Sequence, residues 1–243
     1  MAIVWNEQSA VWFRDASEYT GYNRELAKLL LEQIPRRTTL CDVGCGAGLI
    51  DFELAPFFDE ITCVDVSPEA ISAVSKGIRE RELRNIKAVC ADGLSLTGRW
   101  DTVIALFHGG AEVLPKYLRL AKERLILAAF LDRKGGFGPE NRKTEKAYNA
   151  DTVAAQLDAL GVKYTLQRHS LEYGQPFRTY SDAELFVRAY AEPMPQHELD
   201  EYLRTALQKT GRDDFPYYLP KKRNFGLFVI SREDNPEIPG EEV

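Results

Sequence analysis

The chain has 243 residues, 44% of them hydrophobic and 28% charged, which suits one α/β domain with an elaboration and a sizeable core. Its net charge of −6 and pI near 5.3 argue against tight non-specific binding to nucleic acid. No apolar run approaches the ~20 residues that span a bilayer. The start Met1–Glu7 also lacks a signal peptide's basic end and apolar core, so a cytoplasmic location is expected.

Residues 6–34 read as two helices broken near Thr20-Gly21, with Leu26, Leu29, Leu30 and Ile34 on one apolar face. Strands and helices then alternate: strand 38–43, helix 47–57, strand 60–65, helix 68–82, strands 86–91 and 100–107, helix 111–122, strand 124–131. Such alternation of apolar strands with helices argues for a doubly wound, three-layer α/β sheet, with ligands at the carboxyl ends of the strands. Residues 132–149 read as a glycine-rich charged loop, 150–160 as a helix and 162–173 as a strand. Residues 177–223 read as mostly helical with a break at Pro193-Met194-Pro195, followed by a last strand 224–231 and a frayed acidic tail with Pro236 and Pro239.

The most informative stretch is Thr39-Leu40-Cys41-Asp42-Val43-Gly44-Cys45-Gly46-Ala47-Gly48. A strand ends in an acid and three glycines, and a helix follows. Glycines tolerate positive φ and let a ligand approach the backbone, and the helix end offers unpaired N–H groups. This is either a nucleotide-type site or a glycine-rich turn with no ligand. A dinucleotide fingerprint would place its third glycine at Leu49. Two further strands end in acids, at Asp65 and Asp92. Asp65 suits the two hydroxyls of a ribose but does not by itself separate a dinucleotide from another nucleoside ligand. Ser67 and Pro68 supply an N-cap and first turn to the helix after it. Cys41, Cys63 and Cys90 fall in strands expected to be buried, and Cys45 falls in the turn. Their spacing matches no zinc pattern, so reduced thiols and no metal are expected.

The run from Asp42 through Gly48, with Asp65 and Asp92, resembles the class I S-adenosylmethionine-dependent methyltransferase family, over roughly residues 38–131 and more weakly to 232. The resemblance implies seven strands ordered 3-2-1-4-5-7-6 with the last antiparallel. It also implies S-adenosyl-L-methionine as cofactor, with S-adenosyl-L-homocysteine as product. Its residues here would be Tyr19, Asp42, Gly44, Cys45, Gly46, Asp65, Val66, Asp92, Gly93 and Phe107. In similar enzymes an N-terminal segment folds over the cofactor and insertions cover the substrate. That implies a helical lid at 1–34, a core at 35–176 and 224–232, and a helical insertion at 177–223, which is either a substrate cap or a structural or dimer-forming appendage.

The tip Leu106-Phe107-His108-Gly109 is not the Asn/Asp-Pro-Pro-aromatic tetrad of exocyclic-amine enzymes, no Pro-Cys pair follows it, and Glu112 alone is a poor magnesium site. His108 is then the acid/base candidate, since an imidazole suits proton removal near neutral pH, unless only its backbone lines the site. Tyr22 is a second catalytic candidate, unless it packs with Trp12 and Phe13. The expected activity is metal-independent methyl transfer to O, N or S of a small molecule, with no membrane or nucleic-acid partner and with homodimerisation open. RNA or protein as acceptor, or non-catalytic binding of the cofactor, are the alternatives. The basic clusters Lys221-Lys222-Arg223 and Arg133, Lys134, Arg142, Lys143, Lys146 read as solvated surface.

Overall fold

A computed structural model of the chain describes residues 6–109, 113–132, 134–140, 144–145 and 148–237. Asn6 starts helix α1 (Glu7–Thr20) with a capping box: its side chain accepts from the Ser9 N–H at 2.8 Å, and its own N–H donates to Ser9 Oγ at 2.9 Å. Gly21, at φ 68°, ends α1 and turns the chain directly into α2 (Tyr22–Gln33). The break expected at Thr20-Gly21 is therefore present.

Next come β1 (Thr39–Val43), α3 (Leu49–Leu54), β2 (Glu60–Asp65), α4 (Pro68–Glu80), β3 (Ile86–Cys90), β4 (Trp100–Leu106), α5 (Leu114–Leu120) and β5 (Ala121–Phe130). A two-stranded ribbon, β6 (Lys134–Gly135) with β7 (Thr144–Glu145), interrupts the expected loop and leads to α6 (Ala150–Ala159) and β8 (Thr165–Glu172). The chain closes with β9 (Gln175–Phe177), α7 (Tyr180–Tyr190), α8 (Gln196–Ala206), β10 (Gln208–Lys209), β11 (Tyr217–Leu219) and β12 (Lys222–Ser231).

The main sheet runs β3-β2-β1-β4-β5-β12-β8, with β12 antiparallel to both neighbours. Counted along this sheet alone, β8 is the sixth strand and β12 the seventh, so the order is the expected 3-2-1-4-5-7-6. One face packs α2, α3 and α4 against Leu40, Ile61, Ile104, Ile126 and Phe225. The other packs α5 and α6 against Cys41, Val43, Val103, Leu125 and Phe228. α2 belongs to the first layer outright: Leu26, Leu30 and Ile34 are fully buried in it.

Several boundaries differ from the sequence reading. The helix expected at 47–57 is α3 and a 3-10 turn (Ala55–Phe57), because the glycine turn uses the residues up to Gly48. The helix expected at 111–122 starts at Leu114 in the described residues, with Pro115 in its first turn, and yields at Ala121. There the chain joins β5, pairing with Trp100. Strand pairing overrides local helix preference at that point. Cys90 is exposed rather than buried, because β3 is the edge of the sheet. The segment 177–223 is not mostly helical. Beside α7 and α8 it holds β10 and β11, which complete a three-stranded antiparallel sheet with β9. Around that sheet a third apolar core gathers Phe177, Phe186, Val187, Leu199 and Leu203 with Trp12 from α1. Arg133, Arg142, Lys143, Lys146, Glu112 and Pro239 lie outside the described residues.

Candidate active site

The glycine turn is fixed by hydrogen bonds from its own backbone. The N–H groups of Gly44 and Cys45 donate to the Val64 carbonyl at 2.8 and 3.0 Å. The Gly46 N–H donates to Asp65 Oδ2 at 2.9 Å, and Asp65 Oδ1 accepts from the Ser67 N–H at 2.9 Å. Asp65 thus ties the turn to the start of α4, and each of its oxygens keeps a lone pair for a further donor. Gly44, Gly46 and Gly48 all have positive φ, and a Cβ at Gly44 would lie 2.4 Å from His108 Cγ. Glycine is needed at Gly44 both for conformation and for room.

Beneath the turn sits a pair of carboxyl groups. Asp42 points from β1 toward α3, whose Asp51 meets it, and both are sealed from solvent. Asp42 Oδ1 and both Asp51 oxygens find no partner of full hydrogen-bond geometry. Burial pushes the Asp42 carboxyl far above the usual range, and repulsion from Asp51 adds to it. Burial lifts Asp51 as well, against hydrogen bonds from the Cys63 thiol and from Asp42. A proton retained on Asp42 and donated to Asp51 accounts for both directions. Cys45 and Cys63 share this pocket: the hydrogen bond between their thiols raises Cys63 and opposes the rise of Cys45, while burial and the neighbouring carboxylates push both up. The Cys45 side chain is therefore core, and only its backbone borders the turn.

The tips of β2 and β3 offer apolar surface to solvent. Val66 is 64% exposed and Leu94 is 45% exposed. Between them in sequence, Asp92 caps a short turn, accepting from the Leu94 N–H at 2.9 Å. A Cβ at the adjoining Gly93 would lie 2.5 Å from Val43 Cγ1, so this turn packs directly on β1. Two bare aliphatic side chains beside two carboxylates suit a flat heterocycle carrying a ribose.

The tip of β4 differs in character. Phe107 has φ 59°, a conformation rare outside glycine, which over-determined functional sites retain. Its ring packs on Phe130 at 4.9 Å and on Phe225 at 5.5 Å. His108 turns the opposite way, over Gly44, with Nε2 3.4 Å from the Tyr117 hydroxyl. Above Phe107 lies the guanidinium of Arg223, caged by Tyr173 at 3.3 Å, Phe107 at 4.6 Å, Tyr22 at 5.0 Å and Phe130 at 5.6 Å. Arg223 donates to the Tyr22 hydroxyl at 3.2 Å. Burial pushes the Tyr22 phenol up to about 12 despite that cation, so it is neutral at physiological pH.

Tyr19 takes a different place from Tyr22. It stacks on Tyr218 at 4.9 Å, meets Phe215 edge-on and lies under Arg212, all from the 177–223 segment. Among the described residues, no group of three or more His, Cys, Asp or Glu is placed to hold a metal ion. No helix there is long and apolar enough to cross a membrane.

Residues 40–125 match a protein family described as a methyltransferase domain. Residues 40–125 are thus similar to a methyltransferase domain, and the seven-stranded sheet has the class I, Rossmann-like fold of such domains. Over 105 residues the chain is 32% identical to EEF1A lysine methyltransferase 2 of Homo sapiens, covering 43% of this chain and 41% of that protein. Over 115 residues it is 24% identical to the "probable cobalt-precorrin-6B C(15)-methyltransferase (decarboxylating)" of Methanococcus maripaludis, covering 46% of this chain and 63% of that one. The chain thus spans less than two thirds of these curated relatives. The magnesium protoporphyrin IX methyltransferase of Synechocystis PCC 6803, solved with bound S-adenosylmethionine, shares the fold at a TM-score of 0.50 and 15% identity, over 94% of this chain and 86% of that one.

The sequence reading brings Gly44, Gly46, Asp65, Val66, Asp92 and Gly93 to one edge of the sheet. It missed Asp51, Leu94, Tyr173 and Arg223. An acid inside the apolar run Leu49-Ile50-Asp51-Phe52 was the available signal for the first. For Arg223, the signal was its alternation with Phe225 and Leu227, both core residues of one face.

Proposed function

We propose that this chain holds S-adenosylmethionine along the tips of β1, β2 and β3 and transfers its methyl group to O, N or S of a small molecule entering over β4 and β5. The observation that carries this reading is the aromatic enclosure at the β4 tip, where Phe107, Phe130, Tyr22 and Tyr173 converge. Asp65 accepts the ribose hydroxyls, Asp92 meets the adenine amino group, and Val66 and Leu94 bracket the ring. Asp42 and Cys45, being buried, serve the cofactor through the backbone of the turn. The donor arrives with its methyl already activated, so the protein has to position the acceptor and exclude water, with no metal. His108 is exposed beside the turn and is the base for an acceptor that arrives protonated. Tyr22, neutral and bound to Arg223, is a positioning residue.

α1 and the 177–223 segment form the cover. They are one packed unit: Trp12 meets Phe186 edge-on at 5.2 Å, and Asp15 pairs with Arg178. Phe186 is core of this unit, and Tyr218 is held by Glu172. If this unit is a lid, hydrogen exchange slows in residues 8–20 when S-adenosylhomocysteine binds and stays unchanged in α2. Unchanged exchange in both would leave α1 a fixed element.

A second reading is favoured by one observation. A cavity of about 620 Å³ between residues 136–140 and α8 is lined by Glu140, Glu198 and Glu201 beside Phe137, Tyr202 and Lys221. An acid-bearing groove suits a basic peptide better than a nucleic acid, and one relative is named as a lysine methyltransferase. Release of S-adenosylhomocysteine against a metabolite library and a lysine-peptide library separates the two acceptors. Binding of the cofactor with no release in either library favours a non-catalytic role. Tighter binding of NAD than of S-adenosylhomocysteine would overturn the cofactor assignment.

A further inference from the structure

We propose that Arg223 is a carboxylate-binding residue: an oxyanion carried by a bound ligand docks on the open edge of its guanidinium, beside Phe107. The inference rests on the reading that the β4 tip is where the methyl group is presented. Arg223 enters β12 on the face it shares with Phe225 and Leu227, so the strand itself drives a cation toward the core. Four rings then enclose it, with Tyr173 the closest at 3.3 Å. Rings cover the faces of a planar guanidinium and leave its in-plane N–H groups to be satisfied from the edge. The Tyr22 hydroxyl takes one of those groups, and the Tyr173 hydroxyl lies against another, so two of the five donors are engaged by the cage. Arg223 is only half-buried, and none of its guanidinium nitrogens is both sealed from solvent and without a partner, which leaves its outer edge open to a ligand.

The cage supplies no counter-charge. Tyr22 is held neutral by burial. No carboxylate among the described residues pairs with Arg223. This contrasts with Arg178 and Arg212, which hold Asp15 and Asp214. A cation so placed, next to a site that receives a sulfonium, is stabilised by an anion arriving with the ligand. The fork of a guanidinium fits a carboxylate with two parallel hydrogen bonds. Two bound molecules can bring that group: the cofactor, through its amino-acid carboxylate, or the acceptor.

Calorimetry on Arg223→Gln distinguishes the sources, with S-adenosylhomocysteine, 5′-methylthioadenosine and benzoate as probes and Lys222→Gln as a control that removes an exposed neighbouring charge. If the cofactor's carboxylate is the partner, Arg223→Gln weakens S-adenosylhomocysteine at least tenfold and leaves 5′-methylthioadenosine, which lacks that group, within twofold. If the acceptor's is the partner, S-adenosylhomocysteine keeps its affinity, while benzoate binds the wild-type complex and is lost at least tenfold in Arg223→Gln but not in Lys222→Gln. Should Arg223→Gln fail to fold, Arg223→Lys keeps the charge without the fork and shows the same selective loss in smaller degree. The wild-type protein alone also decides part of the matter. Benzoate that fails to bind it, together with equal affinity for S-adenosylhomocysteine and 5′-methylthioadenosine, overturns the proposal. A wild-type protein that binds no nucleoside ligand overturns the proposed function instead, and benzoate titrated against the unliganded protein still tests Arg223.

Discussion

The two ends of the strand-tip edge are built from different materials. Over β1, β2 and β3 the site is made of backbone and short acids held in local turns: Gly44, Gly46, Asp65, Asp92. Over β4, β5 and β12 it is made of long side chains brought together from Tyr22, Phe107, Tyr173 and Arg223. On the proposed reading, a nucleoside that must be held the same way in every turnover is met by fixed groups. The acceptor end can change its side chains without touching that frame.

The largest effect that would break this division is at Gly44. A valine there meets His108 Cγ and Cβ at a φ of 77°, and neither contact is with the far end of a flexible side chain. Gly44→Val is expected to lower S-adenosylhomocysteine affinity at least about a hundredfold, which calorimetry reads directly. Asp65→Ala removes the proposed ribose acceptor and the tie to the turn, and a loss of roughly ten- to a hundredfold is expected. An unchanged affinity would mean that the acids are not the nucleoside contacts, and the contrast would collapse.

The next effect concerns stability. A carboxyl raised by burial binds its proton more tightly folded than unfolded, so the folded state holds more protons and stability falls as pH rises through and above the ordinary carboxylate range. The Asp42–Asp51 pair therefore weakens the protein most at neutral pH. Asp51→Asn should stabilise by about 1–3 kcal/mol at pH 7, and by less near pH 4. Thermal melts across that range check it, and a gain that grows toward acid would contradict the shared proton. The smallest effect belongs to the acceptor end. Tyr22→Phe loses the hydrogen bond to Arg223 and should cost about 1 kcal/mol in a urea melt.

The same division governs what could be read from the sequence. The glycine turn, Asp65 and Asp92 are legible because local chemistry dictates them: positive φ, a strand end, a cap. The two N-terminal helices were legible from the periodicity of Leu26, Leu30 and Ile34 and from Gly21. Asp51 was hidden, since a lone acid in a helix reads as an exposed position until Asp42 is known to face it. Arg223 was hidden in the run Lys221-Lys222-Arg223, which reads as solvated surface. In the structure Lys221 donates to the Gly136 carbonyl and lies over Phe137, while Arg223 is enclosed, and only Lys222 is exposed. β10 and β11, at two and three residues, are too short for any periodicity to show, and their strand character comes from pairing with each other and with β9.

The position of β12 between β5 and β8 has a consequence for the order of assembly. Strands β1 to β5 pair across at most 62 residues, from Leu40 to Thr102, whereas β12 joins β5 across 95 residues, with Phe225 opposite Phe130. Contacts of long sequence separation form late, because their loop-closure cost must be met first. The β1–β3 end of the edge can therefore take shape while the β4 end is still open, and Arg223 reaches Phe107 only when β12 slots in. Until then β5 and β8 each present a bare strand edge, the kind of surface through which a chain pairs with a neighbour during synthesis.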